Sequence, residues 1–229
     1  MKVTIHKPNY FPYPGFFHKL TLADIFVVLD DVQYQYDHTN RNKIMTRDGN
    51  WTRIIIPTKK EHKFSAINQV EIDNKSNWRG TNWQKIVESY NDAPFFNLYK
   101  IYLDGLYKHE WQMLFEINFE TIKKALEWLG IKITLVRSSE LNISDASTER
   151  LIKICKATGA DTYVSGLGGK QYLNEKLFTN NKISLEYQNY TAVTYPQYLS
   201  NTFIPNLSIL DLLMNVGPKS LQLIKESNN

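Results

Sequence analysis

Residues 6–20, HKPNYFPYPGFFHKL, place His6 and His18 at the two ends of a stretch holding three prolines and five aromatic rings. Imidazole, with an ordinary pKa of about 6.5, is the natural proton donor or acceptor near neutral pH, which makes His6 a candidate catalytic group. The alternative for His6 is a ring satisfied by a neighbouring backbone carbonyl, a description that suits His38, His62 and His109 better. Prolines would fix the loop before a ligand arrives, so Asn9, Tyr10 and His18 are candidate substrate contacts. Further along, Asp30-Asp31 could hold a magnesium ion or take a proton, and both are candidate catalytic residues. Strand alternation would send one carboxylate toward a site and the other toward a turn. In Asn40-Arg41-Asn42-Lys43, a guanidinium, two amides and an ammonium suit phosphate or carboxylate oxygens, with an exposed charged loop as the plainer alternative. Arg41, Asn42 and Lys43 are therefore candidate binding residues. The run Ser165-Gly166-Leu167-Gly168-Gly169 offers backbone N–H groups for an anion, with Lys170 alongside, but completes neither a Walker A nor a G-x-G-x-x-G pattern. Ser165 and Gly166 join the candidates, with a tight turn as the other reading. Trp78, Trp83, Tyr90, Tyr187, Tyr190, Tyr195, Tyr198 and Phe203 could stack on a sugar or a nucleobase, although most of them read as core.

The elements that must position these groups follow from periodicity. Lys2 to His6 reads as a strand, Gly15 to Ala23 as a short helix and Ile25 to Leu29 as a second strand, which is β-α-β spacing. Because IFVVL is continuously apolar, the two strands should lie parallel in the middle of a covered sheet. The prolines and the paired acids then fall at carboxyl strand ends, where open α/β sheets bind ligands. A hairpin turning at Asp48-Gly49 should return along Trp51 to Ile56, and residues 61–75 should continue extended. Helices are expected at Trp78 to Tyr90 and His109 to Leu129, the latter ended by Gly130. A strand at Ile131 to Val136 leads to a helix capped by Ser144 and closed by Gly159, then to a strand at Thr162 to Val164. The chain from Tyr187 to Phe203 should be irregular, followed by a helix at Leu207 to Asn215 that Gly217-Pro218 stops. The expected fold is α/β: a central, mostly parallel sheet flanked by helices, with an inserted antiparallel hairpin region and a largely helical middle segment. One domain should span residues 1–229, with a helical subregion at 78–130.

Composition sets bounds on function. The 229 residues carry a formal charge of +4, and the scattered cations give little footing to a nucleic-acid partner. A single cysteine, Cys155, excludes an internal disulfide and a cysteine-rich zinc site, which fits a reducing cytoplasm. No apolar run approaches the ~20 residues that span a bilayer, so no membrane span and a cytoplasmic location are expected. Fourteen tyrosines, 11 phenylalanines and 5 tryptophans exceed what packing alone demands, which places some rings on a pocket or interface.

In order, HKPNYFPYPGFFHKL, ADIFVVLDDVQY, NRNKI, YNDAPFF, LGI, LIKICKATGADTYVSGLGGKQYL and LSILDLLMNVG resemble the WbqC-like family of bacterial proteins nearly end to end. The resemblance implies a part in O-antigen or other surface-polysaccharide biosynthesis. It carries over to His6, Pro8, Asn9, Tyr10, Gly15, Asp30, Asp31, Arg41, Asn42, Ser165, Gly166, Tyr172 and Asp211, and adds Tyr172 to the substrate contacts. Where the family pattern has His-Gln-Pro this chain has His6-Lys7-Pro8, a charge that would alter specificity if residue 7 meets ligand. Three functions follow as expectations. The first is acyl or aminoacyl transfer to an amino sugar carried on a nucleotide, with the nucleotide-sugar as the small-molecule partner. The second is nucleotidyl or adenylate chemistry with Mg2+, and the third is a glycan-binding or scaffold protein without catalysis. Oligomeric state is left open.

Overall fold

The computed structural model describes residues 1–62, 64–198, 200 and 202–227. Strand β1 (Lys2–His6) runs into a loop and then helix α1 (Pro14–Thr21), whose first-turn proline needs no N–H partner. Strand β2 (Ile25–Val28) returns beside β1, parallel, with Val3 opposite Ile25 and Ile5 opposite Val27. The hairpin follows as β3 (Arg41–Met45) and β4 (Trp51–Ile55), reversed through Gly49 at a φ of 77° that suits glycine. Helices α2 (Trp78–Tyr90), α3 (Phe96–Lys108) and α4 (Leu114–Leu129) form the middle segment. The sheet resumes with β5 (Thr134–Arg137), α5 (Ser147–Ala157), β6 (Thr162–Ser165), α6 (Glu175–Asn180) and β7 (Ser184–Tyr187). Helices α7 (Ile209–Val216) and α8 (Ser220–Glu226) close the described chain.

All five strands of the main sheet are parallel, in the order β5-β2-β1-β6-β7. Side chains alternate across it as pleating requires. Val3, Ile5, Ile25 and Val27 face Ile152 and Cys155 of α5 and Phe178 of α6, while Phe26 and Val28 face Phe16, Phe17 and Leu20 of α1. That double burial is why β2 reads as an unbroken apolar run. The chain lays down β1, β2 and β5 in one direction and then crosses back to place β6 and β7 on the far side of β1. The direction therefore reverses between β1 and β6, which opens a crevice at their carboxyl ends.

Several expectations are corrected. Helix α4 starts at Leu114, because residues 111–113 run extended against 70–72: Ile72 N–H donates to the Gln112 carbonyl and Leu114 N–H to the Val70 carbonyl. Helix α3 was not foreseen, since exposed Leu98 and Ile101 blur the stripe formed by Phe96, Tyr99, Leu103 and Leu106. Residues 61–75 are not continuously extended but fold through short 3-10 turns at Lys60–His62 and Ile67–Gln69. Helix α5 begins at Ser147 after an Ala146 cap that makes no side-chain bond, so Ser144 does not cap it. Gly217-Pro218 does end α7, as expected, but helix α8, reached from it through a 3-10 turn, lies beyond what the sequence pattern indicated.

The loop after β1 is held by donors from distant segments. Asn42 Nδ2 donates to the carbonyls of Tyr10 (3.1 Å) and Phe11 (2.7 Å), and Ser208 Oγ donates to Phe11 as well (2.9 Å). Asn118 Nδ2 donates to the carbonyls of Pro8 (3.0 Å) and Thr39 (2.6 Å). Phe11 sits at a φ of +41°, a conformation that costs about 1–3 kcal/mol for a residue with a side chain and persists only when its surroundings dictate it. Replacing Asn118 with Ala strands two buried carbonyls, and a loss of about 2–3 kcal/mol is expected. Urea unfolding checks this: the midpoint should fall with an unchanged slope, and a loss under about 0.5 kcal/mol would show that the brace is dispensable.

Candidate functional site

A cavity of about 330 Å³ opens at the β1–β6 reversal point. Its walls are His6 from β1, Lys19 from α1, Tyr163 and Ser165 from β6, and the backbone of Gly166 to Gly169, with Tyr13 and Tyr190 over the mouth. Gly15 lies beneath those two rings; a Cβ there would meet the Tyr190 ring at 2.7 Å, so only glycine lets them close over the start of α1.

Lys19 is the member of this site that sequence reading passed over. It is 4% exposed, and among the described residues its Nζ has one hydrogen bond, a long one of 3.4 Å to the Ile5 carbonyl. Burial without a carboxylate partner lowers its pKa to about 7. The signal was available: Lys19 stands three and four positions after Phe16 and Gly15, which puts a cation on the sheet-facing side of a short apolar helix. His6 donates or accepts at Nδ1 with the Lys7 carbonyl at 2.9 Å; since a carbonyl only accepts, Nδ1 carries the proton and Nε2 keeps its lone pair. Burial first, and the Lys19 charge second, lower the His6 pKa to about 3, so the ring is neutral at neutral pH.

From this cavity a groove of about 650 Å³ continues past His6, Tyr13 and Tyr190 to Asp37 and His38, which also line a third hollow of about 300 Å³. Arg41, Lys43 and Arg53 converge there, and among the described residues none of them forms an ion pair with a carboxylate. Arg41 lies over the Tyr36 ring at 4.1 Å, while Lys43 and Arg53 lie over Trp51 at 4.4 Å and 5.0 Å. Aromatic faces thus orient the cations without neutralising them. Asp37 is engaged elsewhere: Lys7 Nζ donates to it at 2.7 Å and to Gln35 at 3.0 Å. Lys7 itself also lines the groove.

The remaining candidates take other places. Asp30 is fully buried and accepts from the Arg137 guanidinium, the Ser138 hydroxyl, and the backbone N–H and hydroxyl of Ser139. Burial alone would raise its pKa; those bonds, led by the Ser139 backbone, bring it below the usual carboxylate value. Asp31 accepts from Arg150 at 2.6 Å and from Ser138. The two acids brace β2 to β5 and α5, and neither lines the cavity, the groove or the basic hollow. Tyr10 is fully buried with its hydroxyl on that of Tyr107 and shapes the site from behind, whereas Asn42 lines the basic hollow while its amide holds the loop carbonyls of Tyr10 and Phe11. His18 is buried beneath Tyr190, with Nδ1 2.9 Å from the Gln188 amide. Asn9 reaches the groove, and Tyr172, 68% exposed, stands at the cavity rim. Of the aromatic candidates, Tyr190 lines the cavity, whereas Trp78, Tyr90 and Tyr195 are core. Among the described residues no group of three or more His, Cys, Asp or Glu side chains could hold a metal ion, and no helix is long and apolar enough to cross a membrane.

A parallel sheet of this order, with its reversal point opening on a cavity, defines a doubly wound α/β protein, the architecture in which ligand sites lie at the carboxyl ends of strands. The chain belongs to the WbqC-like protein family, which it matches over residues 7–223. It is also similar to an uncharacterized protein of Mycobacterium tuberculosis, 32% identical over 223 residues that cover 96% of this chain and 95% of the relative. No solved structure matches significantly. Membership of the family suggests a role in polysaccharide biosynthesis.

The buried amine makes stability depend on pH. Its pKa is about 7 folded against 10.5 for an ordinary lysine, so across that window the unfolded chain binds more protons and folding stability rises with pH. A Lys19→Met variant lacks this contribution. Urea midpoints should show the variant more stable than the natural chain at pH 7, with the gap closing toward pH 10; a gap constant with pH would contradict a buried, depressed amine.

Proposed function

We propose that this chain is a transferase of surface-polysaccharide biosynthesis that moves an acyl or aminoacyl group onto the amine of a sugar carried on a nucleotide. The observation that carries this reading is the continuity of the groove, which joins a hollow of three unneutralised cations to a cavity containing a neutral imidazole and a lysine. Arg41, Lys43 and Arg53 suit a diphosphate, whose charge they would meet with fork-shaped and point donors. The sugar would then lie in the groove beside Asn9 and Lys7, with its amine toward His6.

In the proposed step the sugar nitrogen attacks the carbonyl carbon of an activated acyl donor. A C–N bond forms, the bond to the donor's leaving group breaks, and the leaving group departs with the electron pair. The nitrogen gives up its proton to solvent, and His6 Nε2, the free position of a ring held in one tautomer by the Lys7 carbonyl and kept neutral by burial, accepts the hydrogen bond that orients the amine. The backbone N–H groups from Gly166 to Gly168 are the donors available for the developing oxyanion, since that of Gly169 donates to the Gly166 carbonyl.

Thermal unfolding with a panel of nucleotide-linked sugars checks the assignment. At 100 times its Kd a ligand of the folded state should add about 2.7 kcal/mol. An amino-sugar nucleotide should do so, an Arg41→Ala, Arg53→Ala double variant should abolish the shift, and His6→Ala should retain the shift while losing turnover. Stabilisation by finished polysaccharide, with none by any nucleotide sugar, would replace the transferase with a glycan-binding role.

A further inference from the structure

We infer that the β1–β6 cavity is an oxyanion site, in which Lys19 supplies the counter-charge to a phosphate or carboxylate group of a small ligand. The inference concerns the cavity end of the site proposed above, and its test stays distinct from that reading because the basic hollow at the other end of the groove shares no lining residue with this cavity.

An ammonium has three N–H donors, and among the described residues the hydrogen bond of Lys19 Nζ is a weak one of 3.4 Å to the Ile5 carbonyl. A residue 4% exposed cannot make up the difference by snorkelling to bulk water, so the remaining donors are directed to the space they line. Among the described residues no aspartate or glutamate lines that space. The groups that face it are His6 from β1, Tyr163 from β6, and Tyr13, Tyr172 and Tyr190 from the surrounding loops. Burial raises the pKa of Tyr13, Tyr163 and Tyr190, the last to about 12, so these phenols remain O–H donors. A buried cation, a set of phenolic donors and no fixed negative charge select an anion and reject a cation. A volume of about 330 Å³ sits at the small end of ligand sites, which suits a compact head group rather than a whole nucleotide.

Such a ligand would draw a proton onto Lys19, whose amine is mostly neutral at pH 8 when the cavity holds no anion. Isothermal titration at pH 8 with inorganic phosphate, acetate and glycine tests the site in the natural chain, in Lys19→Met, and in the Arg41→Ala, Arg53→Ala double variant. At least one oxyanion should bind the natural chain with net proton uptake, read from two buffers of different ionisation enthalpy. Affinity should fall at least tenfold in Lys19→Met and stay within twofold in the double variant. Binding of phosphate alone would mark the head group as a phosphate, and binding of acetate or glycine would mark it as a carboxylate. The Nζ resonance of Lys19 in 15N-lysine-labelled natural protein gives a readout free of any substitution: it should move from amine toward ammonium as the anion is added. No binding by any of the three up to about 10 mM, equal binding by Lys19→Met, loss in the double variant instead, or an unmoved Nζ resonance would each overturn the inference.

Discussion

Buried carbonyls must find donors, and the loop that follows β1 carries several of them into the core. Prolines at 8, 12 and 14 remove N–H groups from that loop, so it cannot satisfy itself by local pairing. The donors come from the hairpin (Asn42), from α4 (Asn118) and from the residue before α7 (Ser208). One loop is in this way the junction of the sheet, the hairpin, the helical middle segment and the C-terminal helices. It holds His6 at one margin and α1, with Lys19, at the other. The geometry of the cavity is thus inherited from amide and hydroxyl groups that never reach the cavity.

Two fully buried carboxylates show how partner chemistry decides charge. Asp30 meets a guanidinium, hydroxyls and a backbone N–H, and its pKa falls. Asp211 meets only neutral donors, the hydroxyls of Tyr90 (2.9 Å) and Tyr195 (2.7 Å) and the amide of Gln197 (3.0 Å); burial outweighs them and its pKa rises. The Tyr90 hydroxyl also accepts from Met45 N–H, so this cluster fixes the aromatic segment near 195 to α2, α7 and β3. Charge in the interior is handled by pairing on the β2–β5 side and by near-neutral hydrogen bonding under the C-terminal helices. At the β1–β6 crevice it is left open.

Much of the architecture was legible because it rests on local pattern. The β1-α1-β2 unit, the parallel pairing, the Asp48-Gly49 reversal and the glycine after α4 are all set by periodicity or by a residue with special backbone freedom. What was not legible depends on partners far along the chain. Asp30-Asp31 reads as a metal or catalytic pair until Arg137 and Arg150, 107 and 119 residues away, arrive beside it. Tyr10 reads as a ligand contact until Tyr107 meets its hydroxyl. Lys19 is the reverse case, conspicuous in space and overlooked in sequence, because a lysine near the end of a helix is ordinarily a solvated charge.

The strand order also shapes how the chain reaches its native state. β1 leads the sequence and takes a central place, yet one of its two neighbours, β6, arrives 160 residues later, where the terminal amine meets Asp161. β2 likewise waits across the whole hairpin and helical insertion for β5. Pairings of such high contact order form slowly, and until they do, β1 and β2 present unpaired, strongly apolar edges. The sheet thus closes only when segments on either side of the hairpin and helical insertion meet, so the insertion is enclosed by pairings that its own length makes slow.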